Sequence, residues 1–166
     1  MKKTVTLVLV VLAIGFLLLG LIFKDTMVFD HRGIINEQDV SYETVFHRID
    51  SKIPNWDTHS KGGDTQISFV IYESQHKANF QKMFESLNIQ NLDKKGFELS
   101  KISDFCQGHK VLLAPNQLPT FFVIKKGNKT IIAVVRVCPG GGLSIYLHDE
   151  CSTIVWPRGI RFVIPA

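Results

Sequence analysis

The apolar residues of this chain fall into one long block and several short ones. Thr4 to Phe23 runs for twenty residues without a charge. At 1.5 Å of rise per residue such a helix is about 30 Å long, the thickness of a bilayer's hydrocarbon core. The run therefore predicts a transmembrane signal anchor over residues 4–23, behind a three-residue head. A cleaved secretory signal is the rival reading. Its apolar region is usually shorter and ends in a small-x-small site, whereas Lys24, Asp25, Thr26 and Met27 follow here. A buried helix of a soluble domain would need a polar face, and this run has none.

After a mixed polar stretch at 24–39, read as a juxtamembrane linker, shorter periodic segments make up a domain over residues 40–166. Val45, Phe46, Ile49 and Ile53 share one helical face, which predicts a helix over Val40–Ile53, ended by Pro54. Asn55–Asp64 reads as a loop. Gln66–Tyr72 is an apolar run of β-formers and reads as a buried strand. Phe80, Met83, Phe84 and Leu87 stand at i, i+3, i+4 and i+7, so Gln75–Leu87 predicts an amphipathic helix with Ser74 as its cap. Phe97–Ile102 and Lys110–Leu113 read as short apolar segments, the first of them a strand. Thr120–Lys125 and Thr130–Val137 predict a hairpin around Lys126-Gly127-Asn128. Leu143–Leu147 continues the sheet, and Arg161–Ile164 reads as a terminal edge strand. The fold class expected is α+β: a mainly antiparallel sheet with one or two helices packed on one face.

Charge locates the domain more than it identifies a ligand. Formal net charge is +4, but Lys2 and Lys3 belong to the head. From Lys24 onward 17 basic residues face 15 acidic ones, too even a balance for a nucleic-acid stripe. A basic head favours a cytoplasmic N-terminus. The remaining 143 residues would then lie across the membrane, which in a bacterium is the periplasm, with the inner membrane holding residues 4–23.

Cys106, Cys138 and Cys151 all lie in that exported part, where an oxidising space lets two of them pair. A tight hairpin at Pro139-Gly140-Gly141-Gly142 would set Cys138 opposite Leu143 and leave Cys151 too far from Cys138 to bond. Cys106 with either Cys138 or Cys151 is the pairing this predicts; three unpaired buried thiols are the alternative. His31, His47, His59, His76, His109 and His148 form no metal-binding spacing, so neither a metal nor a cofactor is implied. They are either scattered surface residues or candidates for pH sensing, since imidazole titrates near 6.5. Protonating all six would raise the exported part from +2 to +8. Cys106 and His109 could form a Cys–His couple, but a half-cystine beside a loop histidine is the plainer reading. Asp149 and Glu150 point to opposite faces of a strand and make a poor acid–base pair. No catalytic residue is expected. The apolar C-terminus from Ile154 to Ile164 either completes the sheet or offers an edge to a partner strand.

Two resemblances follow from these residues. Gln66–Tyr72, a helix, and then Leu118-Pro119-Thr120 opening a strand that ends Lys125-Lys126-Gly127 resembles the thioredoxin family over residues 66–137. The resemblance implies a cis proline at Pro119. It departs from the family at Glu73-Ser74-Gln75-His76-Lys77, where the paired cysteines of the family would stand and none is present. The layout of basic head, single anchor and small α+β domain with a cysteine pair is similar to ToxS-, PsaF- and TcpH-type accessory proteins of membrane-bound transcriptional regulators. That likeness implies a non-enzymatic protein bound to a membrane partner, with no nucleic acid. The thioredoxin resemblance implies instead a redox-inactive envelope protein that assists folding or assembly of exported proteins.

Overall fold

The computed structural model describes residues 26–36, 41–53, 66–87, 96–126, 129–148 and 153–166. The expected anchor at 4–23, His59 and Cys151 lie outside them. No helix of the described residues is long and apolar enough to cross a membrane.

The described chain is an α+β domain built on a seven-stranded sheet. In chain order the elements are β1 (Met27–Ile35), α1 (Tyr42–Val45), β2 (Phe46–Ile49), β3 (Ile67–Ser74), α2 (Phe80–Leu87), α3 (Leu99–Gly108), β4 (Thr120–Lys126), β5 (Lys129–Val137), β6 (Leu143–His148) and β7 (Arg161–Pro165). Across the sheet the order is β1-β3-β7-β4-β5-β6-β2. The sheet is mixed: β2 runs parallel to β6 and β4 parallel to β7, and the other neighbouring pairs are antiparallel.

Alternation along the strands tells which faces are covered. In β4, Phe121 and Val123 enter one core while Phe122 and Ile124 enter the other. In β5, Ile132 and Val134 take the first side and Ile131, Ala133 and Val135 the second. Strands with both faces buried read as continuous apolar runs. β6 alternates instead: Leu143, Ile145 and Leu147 are buried, whereas Ser144, Tyr146 and His148 are only half-buried. The helices lie on both faces, not on one as expected. α3 closes one core through Leu99, Ile102, Phe105 and Cys106, and α2 the other through Phe80 and Met83. Eight residues of helix are about 12 Å long, and seven strands span about 29 Å. α2 therefore covers only part of its face, against Phe121 and Phe162.

Several local expectations are corrected. Residues 27–35, read as linker, form β1, an edge strand of the sheet. The predicted helix at Val40–Ile53 is one turn, α1, followed by β2; Phe46 and Ile53 are buried as its apolar face required, but by a strand and a turn. Phe97–Ile102 is not a strand. Phe97 makes a single bridge to Ile124, and α3 begins at Leu99. α2 starts at Phe80 because Ala78 pairs with Trp156 in a two-way backbone bridge. Its cap is Asn79, whose Oδ1 accepts the Lys82 N–H at 3.1 Å, while Ser74 ends β3 and donates to the His76 carbonyl. The Leu118–Pro119 bond is trans, so the cis proline expected at Pro119 is absent. The chain reverses before it, where Leu118 N–H donates to the Pro115 carbonyl and Asn116 and Gln117 both hold positive φ. That tight turn feeds β4 without needing a cis bond.

The largest correction concerns the C-terminus. β7 is not an edge strand. It lies between β3 and β4, with Phe162 and Val163 fully buried on opposite faces.

Candidate functional site

Two features of the surface carry chemistry, one a cleft and one an edge. The cleft, of about 390 Å³, opens on the α3 side between α1, the end of α3 and the β5–β6 turn. The turn is made by Cys138-Pro139-Gly140-Gly141, closed by the Gly141 N–H on the Cys138 carbonyl at 3.0 Å. Gly140 and Gly141 hold φ of +89° and +84°, values that suit glycine and few other residues. Val137, not Cys138, stands opposite Leu143. On the facing strand the register of β2 slips between Phe46 and Arg48. Such a bulge re-aims a side chain, and here it sends His47 into the cleft against Gly142. Thr44, Gln107 and Lys110 complete the polar rim, with Lys110 Nζ donating to the Gly141 carbonyl at 2.5 Å.

Cys106 lines the floor. It is buried, and desolvation pushes its thiol well above the ordinary range. A thiol held in the neutral form is a poor nucleophile. His109 is not its partner: its Nε2 lies 3.0 Å from the Ile34 carbonyl, and its ring packs edge-on against Phe69. The Cys106–His109 couple is therefore not formed. Nor is a Cys106–Cys138 cystine, because both thiols are free. Cys106 faces the core from α3, while Cys138 leaves the sheet at the turn. With Cys151 replaced by serine, a thiol reagent should modify Cys138 quickly and Cys106 at least about 100-fold more slowly until the protein is unfolded. Equal rates in the native protein would contradict this burial.

Among the described histidines, only His31 and His109 share a neighbour, the Phe69 ring. His31 lies on β1 over Phe69, His76 is exposed after β3, and His148 packs against Trp156 and Tyr146. Among the described residues no three His, Cys, Asp or Glu side chains gather as a metal site would require.

One charged group that sequence reasoning passed over ties the end of β2 to β6. Asp50 follows β2; its Oδ1 accepts the Lys52 N–H at 2.9 Å and its Oδ2 the Leu147 N–H at 3.1 Å. The Lys52 N–H holds its carboxyl below the usual range, against some desolvation and with further help from the Leu147 N–H and the Lys52 charge. A lowered folded pKa means stability that is present above about pH 4 and lost as pH falls through the folded value. Asp50→Asn should thus flatten the acid limb of stability, read as the urea midpoint between pH 2 and 6. An unchanged acid limb would show that the carboxylate does not contribute.

The edge is β1. Val28, Phe29 and Ile34 are 41%, 51% and 48% exposed. Phe29 packs edge-on against Tyr72, and the Arg32 guanidinium lies over its ring at 5.4 Å. The strand bulges between Phe29 and His31. Among the described residues β1 pairs with β3 alone; apart from the Ile34 carbonyl, met by His109, such an edge offers backbone groups and apolar side chains together, the combination that strand addition uses. Comparison of the chain with protein-family models, with curated proteins and with solved structures finds no match.

Proposed function

We propose that this chain is a single-pass accessory protein of a bacterial inner membrane. Its α+β domain lies in the periplasm and binds a membrane protein, a sensor or transcriptional regulator being the kind that the layout suggests, which it stabilises or modulates without catalysis. The observation that carries the reading is the position of the exposed β1 edge. Met27 follows Phe23, the last residue of the uncharged run, by four Cα steps, at most about 14 Å of chain. An anchor at 4–23 would therefore hold the start of β1 close to the bilayer surface. There it meets the periplasmic parts of neighbouring membrane proteins at a high effective concentration. The partner would add a strand to β1 and cover Phe29 and Ile34.

The test places a photo-crosslinking residue at Phe29 of the full-length chain in native membranes, with Val111, 89% exposed, as the comparison site. One integral membrane protein should be captured from position 29 and not from 111, and Ile34→Glu should reduce its yield several-fold. Equal capture from both sites, or none, would overturn the docking edge. A C-terminal reporter active only in the cytoplasm would overturn the topology.

A further inference from the structure

The half-covered face of the sheet carries a second feature, independent of β1. Arg136 on β5 is in register with Ser144 on β6, and Ser144 is in register with Arg48 on β2. All three stand on the α2 side, because their neighbours Val135, Ile145 and Ile49 face the other core. Residues in register two strands apart are about 9.6 Å apart at Cα, within the joint reach of two arginine side chains. Ser144 is thus in register between the two arginine positions, on the part of this face where Arg48 is exposed and Arg136 and Ser144 are half-buried.

The charges on this patch are unbalanced. Neither Arg48 nor Arg136 forms a salt bridge among the described residues. Arg136 lies over the Tyr146 ring at 5.6 Å and is hydrogen-bonded to the Tyr146 hydroxyl, while its Nε is buried without a hydrogen-bond acceptor. Asp50 follows β2 two residues after Arg48, and its carboxylate, which accepts the Lys52 and Leu147 N–H groups, offsets at most one of the two positive charges. A buried guanidinium donor without an acceptor is costly. Guanidinium forks match the spacing of phosphate oxygens.

We propose that Arg136, Ser144 and Arg48 form a binding site for a phosphate group. The two guanidinium groups clamp it from either side, the Ser144 hydroxyl donates from beneath, and the Tyr146 ring supports Arg136. The phosphate is either free in solution or borne by a lipid headgroup.

The full-length protein in neutral detergent is titrated with inorganic phosphate against chloride at matched ionic strength, following the Tyr146 ring and Arg136 Nε resonances. In a second arm it is reconstituted with vesicles of phosphatidic acid in phosphatidylcholine or of phosphatidylcholine alone. Saturable shifts with inorganic phosphate, weakened at least about tenfold in Arg48→Gln and in Arg136→Gln, support the site with a free ligand. Shifts seen only with phosphatidic acid, and lost in the same variants, support it with a lipid ligand. Ser144→Ala, which removes one donor and no charge, should weaken either response by a smaller factor. No saturable shift in either arm overturns the proposal, and so does a shift that persists in the Arg48→Gln, Arg136→Gln double variant. Arg48 is exposed, so its single variant keeps the test readable if Arg136→Gln fails to fold.

Discussion

Removing the last six residues, 161–166, should abolish cooperative folding. The deletion takes away β7 and with it Phe162, Val163 and Ile164, which fill both cores. Each such side chain contributes about 1.5–3 kcal/mol when buried. The sheet would also lose the strand that joins β3 to β4, leaving two half-sheets with newly exposed edges. The combined loss is on the order of the whole stability of a domain of this size. Urea unfolding followed by circular dichroism is the measurement, with a deletion of Pro165 and Ala166 alone as the control. A sigmoidal transition in the six-residue truncation would show that β7 is dispensable, as a terminal edge strand can be.

Replacing Arg161 by alanine should cost about 1–3 kcal/mol, the range for losing hydrogen bonds from a charged group whose carboxylate partners are a third exposed and screened by solvent. Its Nε lies 3.3 Å from Glu73 Oε2 and its Nη2 3.5 Å from Asp30 Oδ2. Nη1 donates to the Leu112 carbonyl at 2.9 Å. One guanidinium thereby joins β7 to β3, to the bulge of β1 and to the turn after α3. Lysine keeps the charge but lacks the planar fork, so Arg161→Lys should recover only part of the loss. Chemical denaturation of the three proteins decides it. If lysine restored full stability, charge alone would account for the residue; if alanine cost nothing, the network would be ornamental.

Both results turn on where β7 lies, and that was not legible in the chain. Phe162-Val163-Ile164 reads as an apolar strand in any position. The clue available was that three consecutive apolar residues bury both faces, as Phe121–Ile124 do in β4, and such a run fits the middle of a sheet better than its edge. α3 had left a similar clue. Leu99, Ile102, Phe105 and Cys106 recur at helical spacing, but a segment cut at Ile102 shows too little of the period. β1 left less: Met27–Ile35 mixes Asp30, His31 and Arg32 with apolar residues, because an edge strand has one side of its ladder unpaired and side chains in water.

The candidate sites divide in the same way. Sequence supplied Cys106 as a group of interest, but as a half-cystine to be paired with Cys138 or Cys151. The bulge in β2 brings His47 to the same cleft from a distant part of the chain, and no local pattern announces that. Arg48, Ser144 and Arg136 are likewise unremarkable one by one and form a row only through two strand registers.

By itself the sequence determined an uncharged run long enough to span a bilayer, an α+β class, and the strands at β3, β4, β5 and β6, because each of these follows from composition or periodicity within a few residues. Tertiary structure alone decided the order of strands, the central place of β7, the helices on opposite faces, the free thiols and the clustering of charges. Those depend on which apolar faces meet across long separations in the chain, and one-dimensional spacing does not encode that choice.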